Sequence, residues 1–254
     1  MTPASRRPDP TRIGEVLRRL RVAIGGMGLP AVEKVADDSG ADPFLVLIST
    51  LLSARTQDAT TEAASERLFR AADDPDSMAR LSIARIERLI YPVSFYRNEA
   101  RHVKATAKIL RDRFGGRVPA TMEELVSLPG VGRKTANLVL ILAHRSPDNI
   151  CVDTHVHRIS NRLGWVRTRT PDQTEQALYR VVPRRWWPDV NLFLVTWGQN
   201  VCRPIGPRCA GCAVSDLCPR VGVLTRRSAA PARSHGVRGR RPPAQARTRR
   251  QSAG

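Results

Sequence analysis

Apolar residues return every three or four positions along most of this chain, and alternating apolar and polar runs joined by hairpin turns do not occur. The pattern predicts an all-α fold. Ile13, Val16, Leu17, Leu20 and Ile24 form the first stripe, with Thr11 as its expected cap. Asp42 and Pro43 read as the cap and first residue of an almost wholly apolar helix, FLVLISTLLSA, buried on all sides. Further helices are expected from Asp58 or Thr60 through Phe69, from Asp76 or Ser77 through Ile90, and from Asn98 to Phe114, ended by Gly115 and Gly116. Thr121 and Glu124 form a capping box for EELVSL, and four more helices follow at Arg133 to His144, Asp153 to Leu163, Gln173 to Val182 and Asn191 to Val201.

Charge narrows the partners. The 254 residues carry a net charge of +19, and only four of the 42 basic residues are lysines. Such an excess favours a polyanion, either nucleic acid or an anionic membrane surface. From Arg220 to Gly254 there are ten arginines and no acidic residue, in a stretch of Pro, Ala, Ser and Gly that cannot bury a core and is expected to be disordered. No run approaches the roughly 18 apolar residues of a membrane span, so neither an anchor nor a signal peptide is expected.

One of the four lysines stands in LPGVGRKTA, Leu128 to Ala136. A helix ending at Leu128 and another starting at Arg133 are joined here by a glycine hairpin, in which Gly130 and Gly132 let the backbone turn and approach a ligand. The amides of Val131, Gly132 and Arg133 then face outward at the positive end of the second helix, where a DNA phosphate can be held. A nucleotide-binding P-loop is excluded by spacing, whereas a plain helical hairpin fits the turn equally well. Lys134 changes that balance. A helix start opposes an ammonium, and a free amine is a nucleophile.

The segment ICVDTHVHRISNRLGW supplies a carboxylate, Asp153, at the start of the next helix, where it caps and stays ionised. Asp153, His155 and His157 do not suit a metal, because alternate helical residues point apart. Cys202, Cys209, Cys212 and Cys218 follow the spacing C-x6-C-x2-C-x5-C, a strong metal signal that leaves an iron–sulfur cluster ahead of zinc and of disulfides. With every position a thiolate, such a centre is structural or redox. It braces the loop RPIGPR and presents Arg203 and Arg208 to phosphates. Cys151 lies outside the spacing and is expected in the core.

Taken together, LPGVGRKTA, VDTHVHR and the four-cysteine spacing resemble the endonuclease III family of helix-hairpin-helix DNA glycosylases, as do LLSARTQD and LIYPVSFYR. The resemblance covers about Thr11 to Pro219. It implies an all-α protein of two helical domains with a [4Fe-4S] cluster loop, and damaged double-stranded DNA held in the groove between them. The implied division is a six-helix domain at 35–147 carrying the hairpin, a cluster domain made of 11–34 and 148–219, a disordered start at 1–10 and the arginine-rich tail at 220–254. The implied activity is removal of oxidised pyrimidines and β-elimination at the resulting abasic site, with Lys134 as Schiff-base nucleophile and Asp153 as the essential carboxylate.

Two wedge positions follow from the same resemblance. Arg55 stands where many members carry a glutamine that fills the gap left by a flipped base, and Phe95 matches a second, apolar wedge. A monomer without membrane association is implied, cytoplasmic and nucleoid-associated if bacterial. An adenine-mismatch glycosylase would lack the lysine, and a non-catalytic hairpin module would need neither Lys134 nor Asp153.

Overall fold

In the computed structural model, which describes residues 9–223, twelve α-helices succeed one another and no strand occurs among the described residues. The all-α expectation holds. Most of the arginine-rich tail, 224–254, and the first eight positions lie outside the described residues.

Local chemistry sets most of the boundaries. Helix α1 (Pro10–Ala23) is capped by Asp9, whose carboxylate accepts the Thr11 amide at 2.9 Å, so Thr11 lies inside the helix and is not its cap. Pro10 at the first position is preorganised for the helical φ. Asp9 and Pro10 thus begin α1, although the sequence pattern assigns them to the disordered start. Helix α2 (Ala31–Asp38) has no counterpart in the sequence pattern: it is eight residues long, follows Pro30 and has no side-chain cap of its own. Helix α3 (Pro43–Leu52) matches its expectation, with the Asp42 carboxylate accepting the Phe44 and Leu45 amides at 2.9 and 3.0 Å.

Helix α4 (Asp58–Ala71) is followed by a break that the periodicity does not show. The single helix expected up to Ile90 is two, α5 (Pro75–Arg80) and α6 (Ile83–Ile90). Asp74 and Ser77 close a reciprocal capping box on α5, while the Ser82 hydroxyl accepts the Arg85 amide at 3.2 Å and starts α6 afresh. Helix α7 (Tyr96–Phe114) ends at Gly115, φ 59°, as the glycine pair predicts. Helices α8 (Met122–Val126), α9 (Arg133–Leu142), α10 (Thr154–Arg162), α11 (Pro171–Val181) and α12 (Asp189–Asn200) complete the described chain.

These helices enclose two apolar cores within one compact unit. The first gathers Leu47, Ile48, Leu51, Leu68, Met78, Ile86, Leu110 and Val139 around α3, which packs on α4, α7 and α9. The second gathers Leu17, Leu20, Ile159, Leu178, Leu194 and Trp197, where α12 packs on α1 and α10. Val32 of α2, grouped by the sequence pattern with the cluster domain, packs into the first core. No helix among the described residues is long and apolar enough to cross a membrane.

Candidate active site

Gly130 makes the turn between α8 and α9 in the left-handed region, φ 79°, and a Cβ there would lie 2.8 Å from the His102 ring. Glycine is therefore required twice over. The Thr106 hydroxyl donates to the Pro129 carbonyl at 3.1 Å and fastens the hairpin to α7. Gly132 is different: its φ is −96°, and a Cβ would meet nothing within 4 Å. Its own backbone does not demand glycine, and the space in front of it is open.

The three outward amides expected at this turn reduce to two. The Val131 amide donates to the Leu128 carbonyl at 3.1 Å within the turn, and its side chain is buried. The amides of Gly132 and Arg133 stand at the start of α9, where a helix has no internal acceptor to offer. The Arg133 guanidinium is engaged elsewhere, donating to buried Glu175 at 2.6 Å and tying α9 to α11.

Lys134 sits one residue into α9 and lines a cleft of about 850 Å³ together with Asp153, Arg55 and Asp58. Both cores contribute walls, Leu138 from one side and Val152 and Val195 from the other. Asp153 caps α10, its carboxylate accepting the Val156 amide at 2.8 Å, so the side chain that faces the cleft is fixed by the helix it starts. Behind the pair, the Cys151 thiol donates to the Lys134 carbonyl at 3.4 Å. Cys151 is wholly buried, as expected, and burial pushes its thiol well above the ordinary range.

Of three further cleft residues, Asp58 ends LLSARTQD, His155 lies within VDTHVHR, and Glu33 alone is outside the motifs. Asp58 accepts the Ala31 amide of α2 at 3.3 Å and the Gln199 side-chain amide of α12 at 2.9 Å, so one carboxylate joins three helices. Glu33 of α2 is buried to 8% exposure in the same wall. His155 leans on Gly198, where a Cβ would come within 2.4 Å of its Nδ1, and burial lowers its pKa. His157 turns away to Thr174, at 2.6 Å.

At the rim, Arg55 and Phe95 come together from loops forty residues apart. Both take the left-handed backbone, φ 57° and 53°, which costs a non-glycine residue about 1 kcal/mol. The Ser94 hydroxyl donates to the Arg55 carbonyl at 2.7 Å and locks the two turns together. The guanidinium lies 5.6 Å from the Phe95 ring centre, and the ring is 61% exposed. The Phe95 ring is thus held out from the protein on a braced turn and packs into neither core.

Cys202, Cys209, Cys212 and Cys218 line one cavity with Leu20, Ile159 and Trp197, and none is in a disulfide. Arg162 stitches this loop to α10, donating to the carbonyls of Arg203 and Pro204 at 2.7 and 2.8 Å and to the Cys202 sulfur at 3.4 Å. Burial pushes the Cys212 and Cys218 thiols up. Arg203 and Arg208 are exposed on the stitched loop. Arg203 lines a shallow groove with His155 and Gln199, two residues that also line the main cleft.

An all-helical chain here sets a glycine hairpin beside a cleft holding an amine and a carboxylate, the arrangement expected of a helix-hairpin-helix enzyme, and comparison with known proteins agrees. The profile of the HhH-GPD superfamily of base excision DNA repair proteins matches residues 48–184. Endonuclease III of Thermotoga maritima is 47% identical over 177 residues, 70% of this chain and 83% of the relative. Endonuclease III-like protein 1 of Gallus gallus is 43% identical over 213 residues, 82% and 75% of the two chains. A solved structure of a trapped endonuclease III–DNA covalent intermediate superposes with a TM-score of 0.74 at 31% identity, covering 84% of this chain and 97% of the other. The chain belongs to the endonuclease III family and is a DNA glycosylase of base excision repair.

Proposed function

We propose that the enzyme is bifunctional: it excises oxidised pyrimidines from duplex DNA and cleaves the abasic site by β-elimination through Lys134. The observation that carries this is the shared cleft of Lys134 and Asp153, walled by both cores and opening beside the hairpin. A glycosylase that only activates water has no use for an amine there. A nucleotide turned out of the stack brings its C1′ to the cleft, and Asp153 stabilises the positive charge that develops on the sugar. The Lys134 nitrogen bonds to C1′ as the bond to the base breaks; the C1′–O4′ bond then opens, a proton passing from the nitrogen to O4′, and the resulting imine acidifies C2′, so that its proton and then the 3′ phosphate leave.

The rest of the site serves that geometry. Gly132 and Arg133 offer two amides to a backbone phosphate, and the open space at Gly132 admits it. Arg55 and Phe95 fill the gap left by the flipped nucleotide, while Arg203 and Arg208 hold phosphates further along the duplex. Arginine at position 55 in place of glutamine bears on the preference for the opposite base. Asp153→Asn keeps an oxygen to accept the Val156 amide, so it should fold and bind damaged duplex as wild type does. Release of thymine glycol should fall by about 100-fold or more. Excision at the wild-type rate by that variant would remove Asp153 from its role.

We infer further that the four cysteines hold a [4Fe-4S] cluster. Their donor set is four cysteine sulfurs around one apolar cavity. Bound there, the cluster supplies a cross-link that fixes the 202–218 loop on α10. Anaerobically prepared protein should contain iron and labile sulfide and lose both on Cys212→Ser; stoichiometric zinc in their place would contradict the assignment.

A further inference from the structure

Glu33 has no evident structural reason to be where it is. It stands in the first turn of α2, almost wholly buried, and its Oε1 has no hydrogen-bond partner. Burying a carboxyl with one oxygen left unpartnered opposes folding, so its place in the cleft points to use. It lines the cleft together with Lys134. Two other carboxylates of that wall are held through one oxygen at the starts of other helices, Asp153 by the Val156 amide and Asp58 by the Ala31 amide and Gln199, and both are less buried than Glu33.

We propose that Glu33 is the proton acceptor for Lys134, its free oxygen taking the proton that the ammonium must shed before the nitrogen can attack C1′. This rests on the assignment of Lys134 as the nucleophile. The transfer conserves charge: an ammonium and a carboxylate become an amine and a carboxylic acid. A cleft closed over by DNA favours the neutral pair, because desolvation penalises both charges of the other.

The surroundings hold Glu33 near the point of exchange. Burial raises its pKa from 4.5 to about 7; its own backbone amide and Lys134 pull it down, while Asp58 and Asp153 push it up. These three charged groups reach it from α9, from α4 and from the start of α10, and Arg55, His155 and Asp172 also line the cleft. A carboxyl so placed is a carboxylate that can accept a proton above about pH 7, and is already protonated well below it.

The test uses the full chain, a duplex carrying one abasic aldehyde, and single-turnover trapping by cyanoborohydride between pH 5.5 and 10. Wild type should rise through pH ~7 and level off. Glu33→Gln, which has the same shape, should be about 100-fold slower at pH 7. It should recover most of that loss by pH ~10, where lysine sheds its proton to water unaided. A Glu33→Gln profile identical to wild type, or slowed by one factor at every pH as a purely structural defect would be, overturns the proposal while the nucleophile stands. An absent wild-type adduct, with free base still released from damaged duplex, overturns the nucleophile itself and this proposal with it.

Discussion

A carboxyl with a pKa of about 7 in the folded chain and the ordinary 4.5 when unfolded makes stability depend on pH through a single side chain. Below pH ~4.5 Glu33 is protonated in both states and contributes no difference. As pH rises toward 7 the unfolded chain loses the proton first, so the folded state is progressively disfavoured, and the full cost of about 3 kcal/mol is present above pH ~7. Glu33→Gln removes that cost. Its melting temperature should exceed that of wild type by several degrees at pH 8, with the gap closing toward pH 4.5. A gap that does not change with pH would show that Glu33 is not held protonated. Lys134 and Asp153 are legible in the sequence because each belongs to a short motif at a helix start. Glu33 and Gln199 belong to no such motif, and although Asp58 ends LLSARTQD, nothing local marks its meeting with Gln199 across 141 positions.

At the level of elements, the hairpin separates a glycine that the fold needs from one that it does not. Gly130→Ala forces a Cβ into the left-handed region and against His102, and should cost about 2 kcal/mol or more. Gly132→Ala introduces no conflict, so its stability should stay within about 0.5 kcal/mol of wild type. Its affinity for duplex DNA should nonetheless fall by about tenfold, since the methyl occupies the space a phosphate needs. Unchanged affinity in a folded Gly132→Ala, measured by fluorescence anisotropy, would take the hairpin out of the interface. Long stripes with strong caps, α3 and α7 among them, were legible with small errors at their ends. Helix α2 was not, because its start is capped in trans by Asp58. The break between α5 and α6 was missed because the apolar period runs through it, while Ser82 and the extended backbone at Leu81 interrupt the ladder.

At the scale of the whole molecule, two apolar cores matter because the amine of Lys134 and the carboxylate of Asp153 stand on helix starts that face one cleft. Helix α9 grows from the first core and carries Lys134; α10 packs into the second and is started by Asp153. The all-α class, the order of lysine, carboxylate and cysteines, and the polyanionic partner were legible from periodicity, spacing and a net charge of +19. The cleft was not, since its width and depth depend on how the helices pack. The account turns on Lys134 being the amine that reaches C1′. The direct measurement is to incubate the enzyme with a thymine-glycol duplex and borohydride, isolate the covalent adduct and map the modified peptide by mass spectrometry. The DNA should be found on Lys134, and Lys134→Ala should form no adduct while still binding the damaged duplex. An undiminished adduct in Lys134→Ala, or one mapped to Lys34, Lys104, Lys108 or the N-terminal amine, would contradict it.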